Sequence, residues 1–177
     1  MEDTRNVRAE LPRLLRELEV RSFLDAPCGD LNWMRHVELG DVDYLGADIV
    51  PELIAENTRR FSNQRSQGGM KYRFQVLDLV TAPVPRADLV LCRDCLVHLS
   101  LRDISTALRN IVASGSRYLL TTTFIDQDTN TDIIIGWRRI NLQLPPFSLP
   151  QPLKLIDEDS SEQADKRLGL WDLQALR

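Results

Sequence analysis

SFLDAPCGDLNWM, residues 22–34, joins three kinds of segment. SFLD is a short apolar run ending in an acid, APCG is a tight turn, and LNWM reads as the start of a helix. Strand, turn and helix in this order open the nucleotide-binding turns of open α/β sheets. A dinucleotide turn carries G-x-G-x-x-G, so that the backbone and a helix N-terminus approach a pyrophosphate. Here Gly29 is the one permissive residue, flanked by Pro27 and Leu31.

The chain on either side of this stretch alternates in the same way. Upstream, Val7, Leu11, Leu14, Leu15 and Leu18 recur at helical spacing, so residues 1–20 hold an N-terminal helix that either starts near Pro12 or kinks there. Downstream, LNWMRHVEL (31–39) reads as a helix stopped by Gly40, VDYLGAD (42–48) as a second strand, and PELIAENTRRF (51–61) as a helix with Pro51 first. SNQRSQGGM (62–70) is a polar loop and KYRFQVLDL (71–79) a third strand. ADLVLCR (87–93) is almost wholly apolar, the mark of a strand buried on both faces of a parallel sheet. Ser100 and Asp103 resemble a capping box ahead of a stripe at Ile104, Ala107, Leu108 and Ile111, and Gly115 closes that helix. RYLLTTTF (117–124) is a fifth strand. The long segment 125–151 has no clear period, and loops of that length are often functional. PLKLIDE and RLGLWDLQAL follow with no helix between them, which implies an antiparallel pair. The fold class is therefore α/β: a single domain over 1–177, with a Rossmann-like, mostly parallel sheet of about seven strands, helices on both faces and an antiparallel C-terminal hairpin.

Ligands of such sheets bind at the carboxyl ends of the strands. Those ends here carry Asp25, Asp30, Asp48, Asp78 and Asp94, with Arg93 among them. Crowded carboxylates repel a pyrophosphate and suit a ligand with hydroxyls, an amine and a positive charge. S-adenosylmethionine has all three and no phosphate.

These residues resemble the class I S-adenosylmethionine-dependent methyltransferases over roughly Ser22 to Phe124. DAPCGDL (25–31) is similar to the family's first motif, D-x-G-x-G-x-G, with Pro27 and Leu31 standing where two of its glycines would be. The resemblance implies that Ala26, Pro27, Cys28 and Gly29 lie beside the methionine part of the cofactor. It implies that Asp48, followed by Ile49, binds the ribose hydroxyls, and that Asp78 meets the adenine amine, with Leu77 and Leu79 flanking the base. ADLVLCRDCLVHLS (87–100) resembles the fourth motif, whose strand end faces both methyl group and substrate. Asp25 is read equally as a cofactor residue or as an acid bonding the amides of its own turn.

Methyl transfer needs an acceptor held in line with the donor, and a protonated oxygen or nitrogen must lose its proton. Asp94 and His98 are the candidates for that work, with Arg93 beside the cofactor or an anionic substrate. Trp33, Asn130, Trp137 and Arg138 are the candidates for holding the acceptor; Trp137-Arg138-Arg139 has the cations and fork geometry to meet a carboxylate or phosphate. The N-P-P-Y signature for amide or base nitrogen is absent, and Arg93-Asp-Cys-Leu96 stands in its place.

The bulk properties bound the rest. A net charge of −4 disfavours binding nucleic acid through broad phosphate neutralisation, and no apolar run reaches membrane-spanning length. Three cysteines, Cys28, Cys92 and Cys95, do not make a disulfide scaffold, and the charged N-terminus has no signal-like core, so a cytoplasmic protein is expected. The histidines, His36 and His98, form no ligand-spaced pair, so no metal is expected. The reading is a methyltransferase of a small-molecule oxygen or nitrogen acceptor. The rivals are a non-catalytic S-adenosylmethionine-binding module and, more remotely, a nucleotide-dependent oxidoreductase.

Overall fold

The computed structural model describes residues 4–63, 72–133, 136–158, 160 and 162–176. The polar loop expected at 62–70 falls mostly outside the described residues. Seven strands form one sheet: β1 Ser22–Asp25, β2 Asp43–Asp48, β3 Arg73–Val76, β4 Leu89–Cys92, β5 Tyr118–Phe124, β6 Lys154–Asp157 and β7 Lys166–Asp172. Their order is β3-β2-β1-β4-β5-β7-β6. The first five run parallel, while β7 is antiparallel to both β5 and β6. The last strand is thus inserted between the fifth and the sixth. The chain leaves β1 toward β2 on one side and reaches β4 on the other, so the crevice between connections that diverge lies above β1 and β4.

Helices α1 (Arg5–Glu17), α2 (Pro51–Phe61) and α3 (Leu101–Ala113) cover the sheet. Strand β4 shows how both faces are filled. Its residues are all buried, and Leu89 and Leu91 pack with α1 and α2, while Val90 and Cys92 pack with α3. That is the period-two alternation of a strand with two covered faces. Helix α1 runs through Pro12, although the ring removes one internal hydrogen bond; its stripe of Val7, Leu11, Leu14 and Leu15 is almost fully buried. Helix α3 begins where the capping pattern places it, with Ser100 Oγ accepting from Asp103 N at 3.1 Å.

One expected helix is absent. Residues 31–39 contain a single 3₁₀ turn, Met34–His36, after which Val37 is extended. Leu31, Met34 and Val37 are buried, but a 3₁₀ turn delivers the same three-residue spacing. Leu31 lies at φ +56°, which breaks any helix at its first residue, and nine residues are too few to hold a helix alone.

The long segment after β5 has no helix or strand among its described residues, yet it is pinned to the sheet. Ile140 and Leu142 are fully buried, and Phe124 N donates to Ile140 O at 2.9 Å. Trp171 of β7 donates its indole Nε1–H to Pro150 O at 2.8 Å. The indole lies over Gly169, where an added Cβ would stand 2.4 Å from Trp171 Cη2. Gly169→Ala is therefore expected to lower stability by about 1–3 kcal/mol through overpacking. A urea titration followed by far-UV circular dichroism checks this through the shift in midpoint.

Candidate functional site

The turn after β1 is anchored on both sides. Ala26 N donates to Leu91 O of β4 at 2.9 Å, and Cys28 N donates to Ala47 O of β2 at 2.8 Å. These bonds bend residues 26–28 across the top of the sheet. Gly29 then takes φ +53°, a left-handed conformation that glycine adopts without steric cost. Its carbonyl accepts from Asn57 Nδ2 at 2.7 Å, and its amide donates to Asp48 Oδ2 at 3.2 Å. The other oxygen of Asp48 accepts from Val50 N at 3.1 Å. Leu31 holds the same left-handed region without being glycine, and burial of its side chain holds it there.

Asp25 does not bond the turn's amides. Its carboxyl lies buried beneath the turn and accepts from Tyr44 Oη at 2.7 Å. Burial pushes its pKa up to about 7, against the Tyr44 hydrogen bond and the Arg93 charge, with the Asp48 charge adding to the rise. Burial and the charge of Asp25 likewise push up the Cys28 thiol.

Beside the turn lies a cavity of about 90 Å³ walled by Ala26, Pro27, Ala47, Ile49, Leu77, Leu79, Cys95 and Leu99, with Asp78 and Val80 completing it. Ile49 is 59% exposed, a large apolar side chain left open at the strand end. Asp78 accepts from Val80 N at 2.8 Å and from Thr81 Oγ1 at 2.7 Å. The Thr81 hydroxyl and these amides hold its pKa below the usual carboxylate value.

The end of β4 carries a ring of four charges. Arg93 Nε meets Glu158 Oε1 at 2.5 Å and Arg93 Nη1 meets Asp94 Oδ2 at 3.1 Å. Lys166 Nζ closes the ring, 2.7 Å from Asp94 Oδ1 and 3.0 Å from Glu158 Oε2. Asp94 stands at φ +52°, with its amide donating to Thr122 Oγ1 at 2.8 Å. The Trp33 ring lies 5.4 Å from the Arg93 guanidinium. Glu158 and Lys166 were not legible as site residues. They sit either side of the β6–β7 connection, and only the insertion of β7 next to β5 brings them to β4.

Asp94 and His98 line a second cavity, of about 300 Å³, with Val97, Phe124, Trp137, Gln163 and Lys166. His98 is exposed, and its Nδ1 lies 3.0 Å from Gly136 O. A carbonyl only accepts, so Nδ1 carries the proton and Nε2 is left as the acceptor nitrogen. Trp137 thus joins Asp94 and His98, and Trp33 joins Arg93. Asn130 and Arg138 are placed differently. Asn130 Nδ2 donates to Asn141 O at 2.8 Å and Pro145 O at 2.9 Å, and its Oδ1 accepts from Asn141 N. Arg138 turns Nε to Thr131 O and Nη1 to Val97 O, each at 3.0 Å. Asn130 therefore holds the 125–151 segment together, and Arg138 ties that segment to Val97.

A family model described as a methyltransferase domain matches residues 24–114, just over half of the chain. The chain belongs to this methyltransferase-domain family. Solved structures agree on the fold of the methyltransferase domain. Human N-acetylserotonin methyltransferase in complex with S-adenosylmethionine aligns at a TM-score of 0.69 and 14% identity, over 93% of this chain and 51% of that one. The methyltransferase domain of a bacterial protein designated CtHen1-C aligns at 0.67 and 11%, over 96% and 98%. Magnesium protoporphyrin IX methyltransferase from Synechocystis PCC 6803 with bound S-adenosylmethionine aligns at 0.62 and 13%, over 93% and 78%. The chain covers 58% of the same Synechocystis enzyme in its form with bound S-adenosylhomocysteine and 49% of an S-adenosylmethionine-dependent methyltransferase from Clostridium acetobutylicum, so it spans about half the length of several of these proteins. No curated protein sequence matches the chain. No helix among the described residues is long and apolar enough to cross a membrane.

Asp25 makes the stability of the methyltransferase domain depend on pH. Below pH 4 the carboxyl is protonated in both folded and unfolded chains, and no penalty arises. Between pH 4 and about 7 the folded chain keeps the proton that the unfolded chain releases, so stability falls as pH rises. Asp25→Asn keeps an acceptor for Tyr44 and removes that fall. Urea unfolding at pH 4.5 and 7.5 is expected to show the variant gaining on the native chain by a few kcal/mol at the higher pH.

Proposed function

We propose that this domain binds S-adenosylmethionine at the carboxyl ends of β1, β2 and β3 and methylates an oxygen or nitrogen of a small molecule. The observation that carries the reading is the apolar cavity edged by Asp78 and set beside the Gly29–Asp48 pair. Its walls, Ile49, Leu77, Leu79 and Pro27, suit the faces of an adenine ring. Asp78 is an ionised acceptor for an exocyclic amine. Each oxygen of Asp48 takes one backbone amide and keeps acceptor capacity for a ribose hydroxyl. Gly29 presents backbone with open space where a Cβ would be. Asp25 and Cys28 shape the turn from beneath, and Ala26 holds it to β4. A pyrophosphate finds carboxylates here instead of a glycine-rich amide cradle, which counts against an oxidoreductase.

The cofactor supplies a methyl group on a positively charged sulfur, open to in-line displacement. The residues around it must position the acceptor and take its proton. When bound, the cofactor would give up the methyl carbon and keep the carbon–sulfur electron pair on sulfur, and a residue of this chain would have to take the acceptor's proton. His98 Nε2 is the better placed base, because both oxygens of Asp94 are already held by Lys166 and Arg93. Asp94 then orients. The same clamp favours a second reading, a module that binds S-adenosylmethionine without transfer; acceptor-dependent conversion of labelled cofactor separates the two. The net charge of −4 favours a small acceptor over nucleic acid, and three free cysteines fit a reducing cytoplasm.

Calorimetric titration with S-adenosylhomocysteine, with NAD as control, is expected to show micromolar binding of the first and none of the second. Asp48→Ala is expected to weaken binding by about 1–3 kcal/mol through lost charge-assisted hydrogen bonds. Unchanged affinity in a folded variant would remove Asp48 from the ribose.

A further inference from the structure

The cavity shared by Asp94, His98, Phe124, Trp137, Gln163 and Lys166 shows what kind of acceptor it takes. Its volume of about 300 Å³ suits a molecule of one or two rings. One wall is aromatic. Phe124 is buried and Trp137 lies nearly parallel to it, with ring centroids 6.4 Å apart and planes inclined by 29°. Trp137 remains 50% exposed. Phe124 backs the indole, and the exposed part of the indole is open to a planar ligand.

Two of the lining residues, Asp94 and Lys166, are charged, and they belong to the balanced ring of four. Asp94 and Glu158 offset Arg93 and Lys166 one for one, and Lys166 Nζ already holds a carboxylate oxygen from each acid. The other cations of the neighbouring loop are engaged too. Arg139 Nη1 lies 3.4 Å from Asp165 Oδ1, and Arg138 is turned to the carbonyls of Thr131 and Val97. A carboxylate or phosphate on the ligand would therefore add a third negative charge beside Asp94 and Glu158, where both cations of the ring, Arg93 and Lys166, are already paired. This counts against the expectation that Trp137-Arg138-Arg139 binds an anion.

We propose that this cavity takes an uncharged, planar aryl acceptor of one or two rings, stacked on Trp137, with its hydroxyl or amine toward Asp94 and His98. The proposal rests on the methyltransferase reading for the word acceptor, and on the cavity alone for the aryl class. The turn from Asp94 to Leu99 connects the two cavities: Cys95 and Leu99 line the cofactor side, and Asp94, Val97 and His98 line this one.

Three probes of one shape and different charge test it: 2-naphthol, 2-naphthoate and 2-naphthyl phosphate, titrated by calorimetry with and without saturating S-adenosylhomocysteine. 2-Naphthol is expected to bind at least about tenfold more tightly than either anion. Trp137→Ala is expected to weaken it about tenfold, and Trp137→Phe, which keeps a stacking ring, by less than about threefold. Anions binding as tightly as 2-naphthol, or 2-naphthol affinity indifferent to Trp137→Ala, would overturn the proposal. S-adenosylhomocysteine binding without 2-naphthol binding overturns it and leaves the cofactor reading intact. The opposite pair of results upholds the aryl cavity and removes the reading that makes its occupant a methyl acceptor.

Discussion

Two backbone hydrogen bonds, Ala26 N to Leu91 O and Cys28 N to Ala47 O, tie the turn after β1 to both of its neighbouring strands. Each neighbour carries part of the site at its own end. Strand β2 ends in Asp48, which then reaches back to the amide of Gly29, and β4 ends in Arg93 and Asp94. Because the turn is fixed to both, the positions of Asp48, Gly29 and Arg93 are set by sheet geometry and not by loop conformation. Sites built on regular elements hold their side chains more closely than sites built on loops. Pro27 and Leu31 are tolerated for the same reason: anchoring bonds and burial impose the bend that glycines would otherwise permit.

Much of this is legible in the sequence. The acids at the strand ends follow from reading where each apolar run stops, and the apolar run of β4 announced a strand covered on both faces. Local inference fell short in two places. Residues 31–39 carry a spacing shared by a short helix and a 3₁₀ turn, and the left-handed Leu31, invisible in composition, decided between them. Asp25 had two readings at the turn, and neither named Tyr44, because a partner nineteen residues away on the next strand leaves no local mark.

The larger omission was Glu158 and Lys166. Nothing in their own neighbourhood marks them as site residues. Their role comes from topology, because β7 enters the sheet between β5 and β6 and so carries the β6–β7 connection toward β4. Asn130 and Arg138 show the converse. A polar residue in a long loop looks available for a ligand, but a loop of that length packed on a sheet has many carbonyls to satisfy, and these side chains serve them.

The ring of charges also divides the labour at the end of β4. Both oxygens of Asp94 are held by cations, so in the proposed reaction Asp94 is better placed to orient a hydroxyl or amine than to take its proton. His98 has the complementary properties: it is exposed, one nitrogen is fixed by Gly136 O, and the other is free to accept. Neutralising the wall at the same time removes the electrostatic reason for an anionic ligand to enter. Selection then falls to shape and to the exposed indole of Trp137. The hairpin that supplies Glu158 and Lys166 therefore completes the ion-pair ring around Asp94, although those two residues lie far along the chain from the acids that first marked the site.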